Sequence, residues 1–185
     1  MNFNKHLNLE GLHAVFSPSQ SNWLRYDDTK AVEFYRNKQA AEMGTRLHEW
    51  AKKTIDLGIK QPRSKKTIYA YVNDAIGFRM STEVVLYYSD RFFGTADAIS
   101  FRNGFLRIHD LKTGKTAVHM EQLEIYAALF CLEYRVKPGD IEIELRIYQN
   151  DEVLYHRPTA EDILPIMDKI VHLNKILEQK ESEDY

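Results

Sequence analysis

The chain holds a single cysteine, Cys131, among its 185 residues. One thiol excludes an internal disulfide and cannot supply the ligand set of an iron–sulfur cluster. It suits a reducing compartment, and its place in the apolar run Ala127–Leu132 makes it a buried core thiol. Long apolar runs are also lacking: none approaches the ~20 residues of a membrane span. Residues 1–16 have no basic start followed by an apolar block and a small-residue cleavage site. A soluble, cytoplasmic protein with no membrane partner is expected. Repeats and low-complexity segments are missing too. So is an excess of positive charge: the formal net charge is −2, which by itself argues against a nucleic-acid binder.

That charge is unevenly spread. Residues 1–80 carry 13 Lys+Arg against 8 Asp+Glu, and residues 81–185 carry 12 against 19. The basic excess is therefore N-terminal, and bound divalent cations would offset part of the acidic half. With 44% hydrophobic and 12% aromatic residues, the chain can bury one substantial core but is short for two ordinary domains. A single domain over 1–185 is expected, with 1–80 mainly helical, 81–158 a sheet with its helix, and 159–185 a C-terminal helix and tail.

Taken in order, Ser17-Pro18-Ser19-Gln20 opens a short helix carrying Trp23, Leu24 and Tyr26, with Ser as its cap. Thr29 to Leu57 is helical by periodicity, with a break expected near Asn37. Gly58 ends that helix. Lys60 to Lys66 holds four basic residues around Pro62, a solvated loop by default and a guide for a phosphate backbone as the sharper alternative. Thr67–Phe78 reads as a helix, and Glu83–Tyr88 as an alternating, β-branched strand. Arg91–Phe101 and Gly104–Lys112 are strand-like and joined by Asn103-Gly104, a tight hairpin signal.

Val118–Tyr134 is a helix with an apolar stripe of Leu123, Tyr126, Ala127, Phe130 and Leu132 or Tyr134. Ile141–Tyr148 reads as a strand with one polar face, formed by Glu142, Glu144 and Arg146. Asn150-Asp151 turns the chain into Val153–Arg157. Thr159 caps a final helix to about Glu178, whose Ile163, Ile166, Met167, Ile170, Leu173 and Ile176 share a face. Glu181–Tyr185 reads as a frayed acidic tail. This order predicts an α/β or α+β fold, a central mixed sheet flanked by helices.

Chemistry concentrates between Gly94 and Tyr126. Pairing of the two hairpin strands brings Asp97 near Asp110, and two such carboxylates repel unless a cation lies between them. Asp110 and Lys112 are two apart on a strand and share a face, with Leu111 turned the opposite way. Paired carboxylates that hold Mg²⁺ or Mn²⁺, with a lysine that orients water or offsets developing charge, suit phosphodiester hydrolysis. Gln122 and Tyr126, at i and i+4, add one helix face. Each pair alone is commonplace, and Tyr126 also fits the apolar stripe. Their order along the chain is what carries the reading.

Gly94-x-x-Asp97, Asp110-Leu111-Lys112-Thr113-Gly114 and Gln122-x-x-x-Tyr126, with His48 upstream in a helical run, resemble the RecB-like branch of the PD-(D/E)XK nucleases, which includes phage recombination exonucleases. The resemblance spans about Ser17 to Tyr155, and Asp-Leu-Lys-Thr-Gly is its most specific part. It implies a restriction-endonuclease-like core and a metal-dependent DNA nuclease of recombination, repair or phage DNA metabolism. The substrate would be single- or double-stranded DNA with a free end.

His48, in Gly44-x-x-x-His48, would ligate the metal with Asp97, Asp110 and the Leu111 carbonyl, its nitrogen tilting the site toward Mn²⁺. Lys112 would assist the water, while Gln122, Tyr126, Thr113 and Lys115 would contact DNA. Glu83 stands in a second tier, supporting another metal or orienting His48, or simply facing water. Some relatives carry an iron–sulfur cluster; here Tyr26 stands near the first cysteine position and no cysteine cluster exists. A homo-oligomer or a recombination partner protein is left open, and the alternative function is a catalytically silent nuclease-fold module that binds DNA or regulates.

Overall fold

The computed structural model describes residues 14–114 and 118–183. The chain divides into two compact units between Thr45 and Arg46, and the boundary falls inside the first helix, α1 (Asp28–Asp56). Lys115 and the last two residues of the expected acidic tail lie outside the described residues.

In the first unit, a short 3₁₀ turn over Ser21–Arg25 carries Trp23, whose indole N–H donates to the Ser17 carbonyl at 3.0 Å. Phe16 meets Trp23, Phe34 and Tyr35 in a small aromatic cluster. Gln20 rather than a serine precedes the turn, without a side-chain cap. The capping falls instead to Asp27, whose Oδ1 accepts the Lys30 N–H at 2.8 Å and opens α1. No break occurs at Asn37, since α1 runs unbroken for 29 residues. Asn is only a weak helix breaker, and a single one is carried by its neighbours.

The second unit is α+β, a five-stranded mixed sheet packed between helices. Its strands β1 (Ser81–Ser89), β2 (Phe92–Arg102), β3 (Phe105–Leu111), β4 (Glu142–Gln149) and β5 (Glu152–His156) lie in sequence order across the sheet. Neighbours are antiparallel except β3 and β4, which are parallel. That parallel step needs a crossover, and α3 (Glu121–Tyr134) supplies it. The β2–β3 turn has positive φ at both Asn103 (51°) and Gly104 (73°), the backbone that a two-residue hairpin requires.

One sheet face packs against α3 and α4 (Ala160–Glu183) through Leu86, Ile99, Ile108, Leu123, Ala127, Leu145 and Ile163. The other packs against α2 (Thr67–Gly77) and the last turns of α1 through Ala51, Ile55, Tyr71, Val72, Ala98, Leu111 and Tyr148. Cys131 is buried as expected, and burial pushes its thiol up to about 11. Among the described residues no helix is long and apolar enough to cross a membrane.

Three expectations are corrected. Strand β4 is not one-sided: Glu144 and Arg146 are buried along with Ile143, Leu145 and Ile147, because β4 is an inner strand whose charges pair with one another. Helix α4 continues to Glu183 instead of stopping near Glu178. Its inward face also passes from Ile170 to a buried Asn174, leaving Ile176 exposed; Asn174 Oδ1 accepts the Ser89 hydroxyl at 2.7 Å.

Candidate metal and phosphate site

The site begins at a kink in the sheet. Ala96 and Ala98 are two apart on β2, yet Ala96 packs in the α3 cluster and Ala98 in the α2 cluster. Regular alternation would put them on one face. On the neighbouring strand, between Thr82 and Val84, which pair with Ala98 and Ala96, Glu83 has φ +52°. Both strands therefore switch faces at the level of Glu83 and Asp97, a bulge-like irregularity that re-aims side chains.

Antiparallel pairing of β2 with β3 runs from Arg102/Phe105 to Ala98/His109. At the next step the Asp97 carboxylate takes over: its Oδ2 accepts the Leu111 backbone N–H at 2.9 Å. His48 approaches from α1, its Nδ1 3.5 Å from the same oxygen. Ligand-capable atoms of His48, Glu83 and Asp97 all lie within 4.8 Å of one another. Asp97 is pushed up to about 6, first by burial and then by the charge of Asp110, against the lowering effects of the Leu111 N–H and His48.

Asp110 is buried and anchors a second string of residues. Lys112 Nζ donates to its Oδ1 at 3.1 Å. The same nitrogen is 3.0 Å from Oδ2, so the ammonium pairs with both carboxylate oxygens. Lys112 also donates to Gln122 Oε1 at 3.0 Å, and Gln122 Nε2 donates to the Tyr126 hydroxyl at 3.3 Å. Tyr126 in turn lies on Gly94, where an added Cβ would fall 2.8 Å from its ring. Leu111 is buried in the opposite cluster.

The structure thus brings His48, Glu83 and Asp97 into one group, and Asp110, Lys112, Gln122 and Tyr126 into another. The two meet where Asp97 holds the Leu111 N–H, one residue from Asp110 and from Lys112. Glu83, ranked second from the sequence, shares the ligand-capable group, whereas Asp110 faces Lys112. Thr113 is exposed on the loop after β3, and that loop is tied back by Gln149 Nε2 donating to the Gly114 carbonyl at 2.6 Å.

The imidazole of His48 and the carboxylates of Glu83 and Asp97 form a group that could hold a metal ion. An imidazole nitrogen and clustered carboxylates are borderline-to-hard ligands.

Sequence reasoning missed the support beneath β3 and β4. The Tyr148 hydroxyl donates to Asp74 Oδ2 at 2.6 Å, so at 3.2 Å its oxygen accepts from His109 Nδ1–H, which fixes the tautomer and leaves Nε2 as a buried acceptor without a donor. Burial, then the charges of Arg146 and Arg107, push His109 down to about 3. Arg146 links Asp74 and Glu144, and Arg157 and Arg107 also reach Glu144. The alternation of apolar and charged residues along β4 concealed this network, because exposed charges give the same pattern.

Compared with family models, curated proteins and solved structures, the chain finds no match in any of the three.

Proposed function

We propose that the protein is a metal-dependent deoxyribonuclease with a restriction-endonuclease-like core, of the RecB-like PD-(D/E)XK type. It acts in the cytoplasm on DNA ends during recombination, repair or phage DNA metabolism. The observation that carries this reading is the Lys112 ammonium held between Asp110 Oδ1 and Gln122 Oε1, beside a second carboxylate, Asp97, fixed by the Leu111 N–H. A structural ion pair needs no second carboxylate beside it.

His48, Asp97 and Asp110, joined by Glu83, would hold Mg²⁺ or Mn²⁺, which when bound supplies charge neutralisation at the phosphate and a more acidic water. The remaining work falls to the chain. Asp97 and Asp110 present carboxylate oxygens at adjoining strand positions and exclude the phosphate until their charge is offset. Lys112 carries a fixed positive charge toward the oxygens that gain negative charge as water attacks phosphorus and the opposite P–O bond breaks. Gln122 and Tyr126 hold the lysine in that position, so little reorganisation is needed when charge develops.

The test is digestion of end-labelled linear single- and double-stranded DNA, with a closed circle as control, in Mg²⁺ or Mn²⁺, comparing folded wild type with Lys112→Ala. Degradation by the wild type that the variant loses is the expected result. Absence of cleavage by the wild type with every metal and substrate would defeat the proposal and favour a silent nuclease-fold binding module.

A further inference from the structure

The segment 60–66, between α1 and α2, carries Lys60, Arg63, Lys65 and Lys66 and no acidic residue. All four are exposed, and among the described residues no carboxylate lies within ion-pairing distance of any of them. Short basic runs are usually solvated and loosely held. This one is pinned. The Gln61 N–H donates to Asn73 Oδ1 at 2.8 Å, and Asn73 Nδ2 donates back to the Gln61 carbonyl at 3.0 Å. The Lys66 N–H donates to Ser64 Oγ at 3.1 Å. The cations are thus presented on a fixed backbone, which lowers the ordering cost of binding a polyanion.

Aromatic rings border them. Lys66 Nζ lies 5.3 Å over the Tyr69 ring, and the Tyr69 ring centroid is 6.0 Å from that of Trp50, which is 37% exposed. Trp50 follows His48 by two residues on α1. Tyr69 precedes Tyr71 by two on α2, which on a helix turns the two rings to different faces: Tyr71 is buried against the sheet, whereas Tyr69 meets Lys66 and Trp50. The basic, aromatic patch therefore lies on turns of α1 and α2 shared with His48 and Tyr71, but on other faces of those helices. A polyanion is drawn to such a patch by its local potential, whatever the net charge of the chain.

We infer that Lys60, Arg63, Lys65 and Lys66 grip phosphates of a single-stranded DNA, with an unpaired base laid on Trp50. Single-stranded DNA is the occupant because stacking on a protein ring needs a base free of its partner, which a duplex keeps inside. The inference rests on the nuclease reading for what happens to the strand, but the binding surface is tested apart from cleavage.

The experiment is anisotropy of labelled oligothymidylate of about 20 nucleotides, the length of one to a few single-strand binding sites, and of a duplex of equal length, in EDTA. The expected result is tighter binding of the single strand by wild type. Arg63→Ala/Lys65→Ala/Lys66→Ala should weaken it about tenfold or more and flatten the log–log salt dependence by about 2. In Trp23→Phe, Trp50 is the sole tryptophan, and oligothymidylate should quench its emission. Wild-type affinity in the triple variant, preference for the duplex, or unchanged Trp50 emission would each overturn the inference. Hydrolysis of bis(p-nitrophenyl) phosphate with Mn²⁺ reads the chemistry separately: equal rates in wild type and triple variant beside unchanged oligothymidylate binding would remove the surface and leave the nuclease. Patch-dependent binding with no hydrolysis of any phosphodiester would do the reverse.

Discussion

Asp97 Oδ2 accepts the Leu111 N–H at 2.9 Å, so a side chain of β2 continues the ladder to β3 where backbone pairing stops. The carboxylate is held for its position and not for its comfort. Burial and the neighbouring Asp110 both disfavour its charge, and its pKa stands near 6, against an ordinary 3.8.

Asp97→Asn should therefore stabilise the metal-free protein at pH 7.5. The amide oxygen can still accept the Leu111 N–H, while the disfavoured charge is gone. A shift of about two units corresponds to about 2–3 kcal/mol as an upper figure, which in a chain of this size raises Tm by several degrees. Thermal melts in EDTA check this. The same variant should lose the stabilisation that Mn²⁺ gives to the wild type. A lower Tm in EDTA would mean that the carboxylate contributes structure that outweighs its strain.

Cation binding should weaken as pH falls through 6. Metal ligands must be deprotonated, and at pH 5 a group with a pKa near 6 is only about one-tenth ionised, so Asp97 alone lowers Mn²⁺ affinity about tenfold there relative to pH 7.5. Calorimetry in buffers of different ionisation enthalpy should show proton release on binding near pH 6 and little at pH 8. Affinity that stays flat from pH 8 to pH 5 would rule out Asp97 as a ligand.

Much of this was legible in the sequence for identifiable reasons. Asn103-Gly104 is a hairpin signal because both residues tolerate positive φ, and both adopt it. Period two places Asp110 and Lys112 on one face, where their charges meet. The kink was not legible: glutamate has no preference for the left-handed region, so nothing in the letters marks Glu83 as the residue at φ +52°, and it ranked below Asp110 as a ligand although it stands with His48 and Asp97. Strand β4 misled for another reason. Glu144 and Arg146 alternate with apolar residues just as exposed charges do, and only the sheet order, with β3 on one side and β5 on the other, reveals that they are interior and paired.

Gly94 should tolerate no side chain while Tyr126 is in place. An alanine Cβ would fall 2.8 Å from Tyr126 Cε1, so either the ring or the strand must shift, at a cost of about 1–3 kcal/mol. Because Tyr126 accepts from Gln122, and Gln122 from Lys112, Gly94→Ala should also lower cleavage. Gly94→Ala/Tyr126→Ala removes the clash, and its stability loss should be smaller than the sum of the two single losses, a coupling expected only for residues in contact. Additive losses in chemical denaturation would show that the ring does not rest on Gly94 in solution.

His109 gives stability a pH dependence opposite to that of Asp97. Its folded pKa is depressed to about 3 from an ordinary 6.5, so between these values the unfolded chain binds a proton that the folded chain refuses. Stability then rises with pH across that window, by up to about 1.4 kcal/mol per unit from this one group. Asp97, raised to about 6 from 3.8, pulls the other way across its own window and masks part of the effect. His109→Leu keeps an apolar body beside Phe78 and removes the titration. Its unfolding free energy in urea should fall less steeply than that of the wild type as pH drops from 6.5 to 4, the difference in slope approaching one proton. Equal slopes would mean that His109 charges within the fold, and that the Tyr148 hydroxyl, its partner at 3.2 Å, turns or moves aside to allow it.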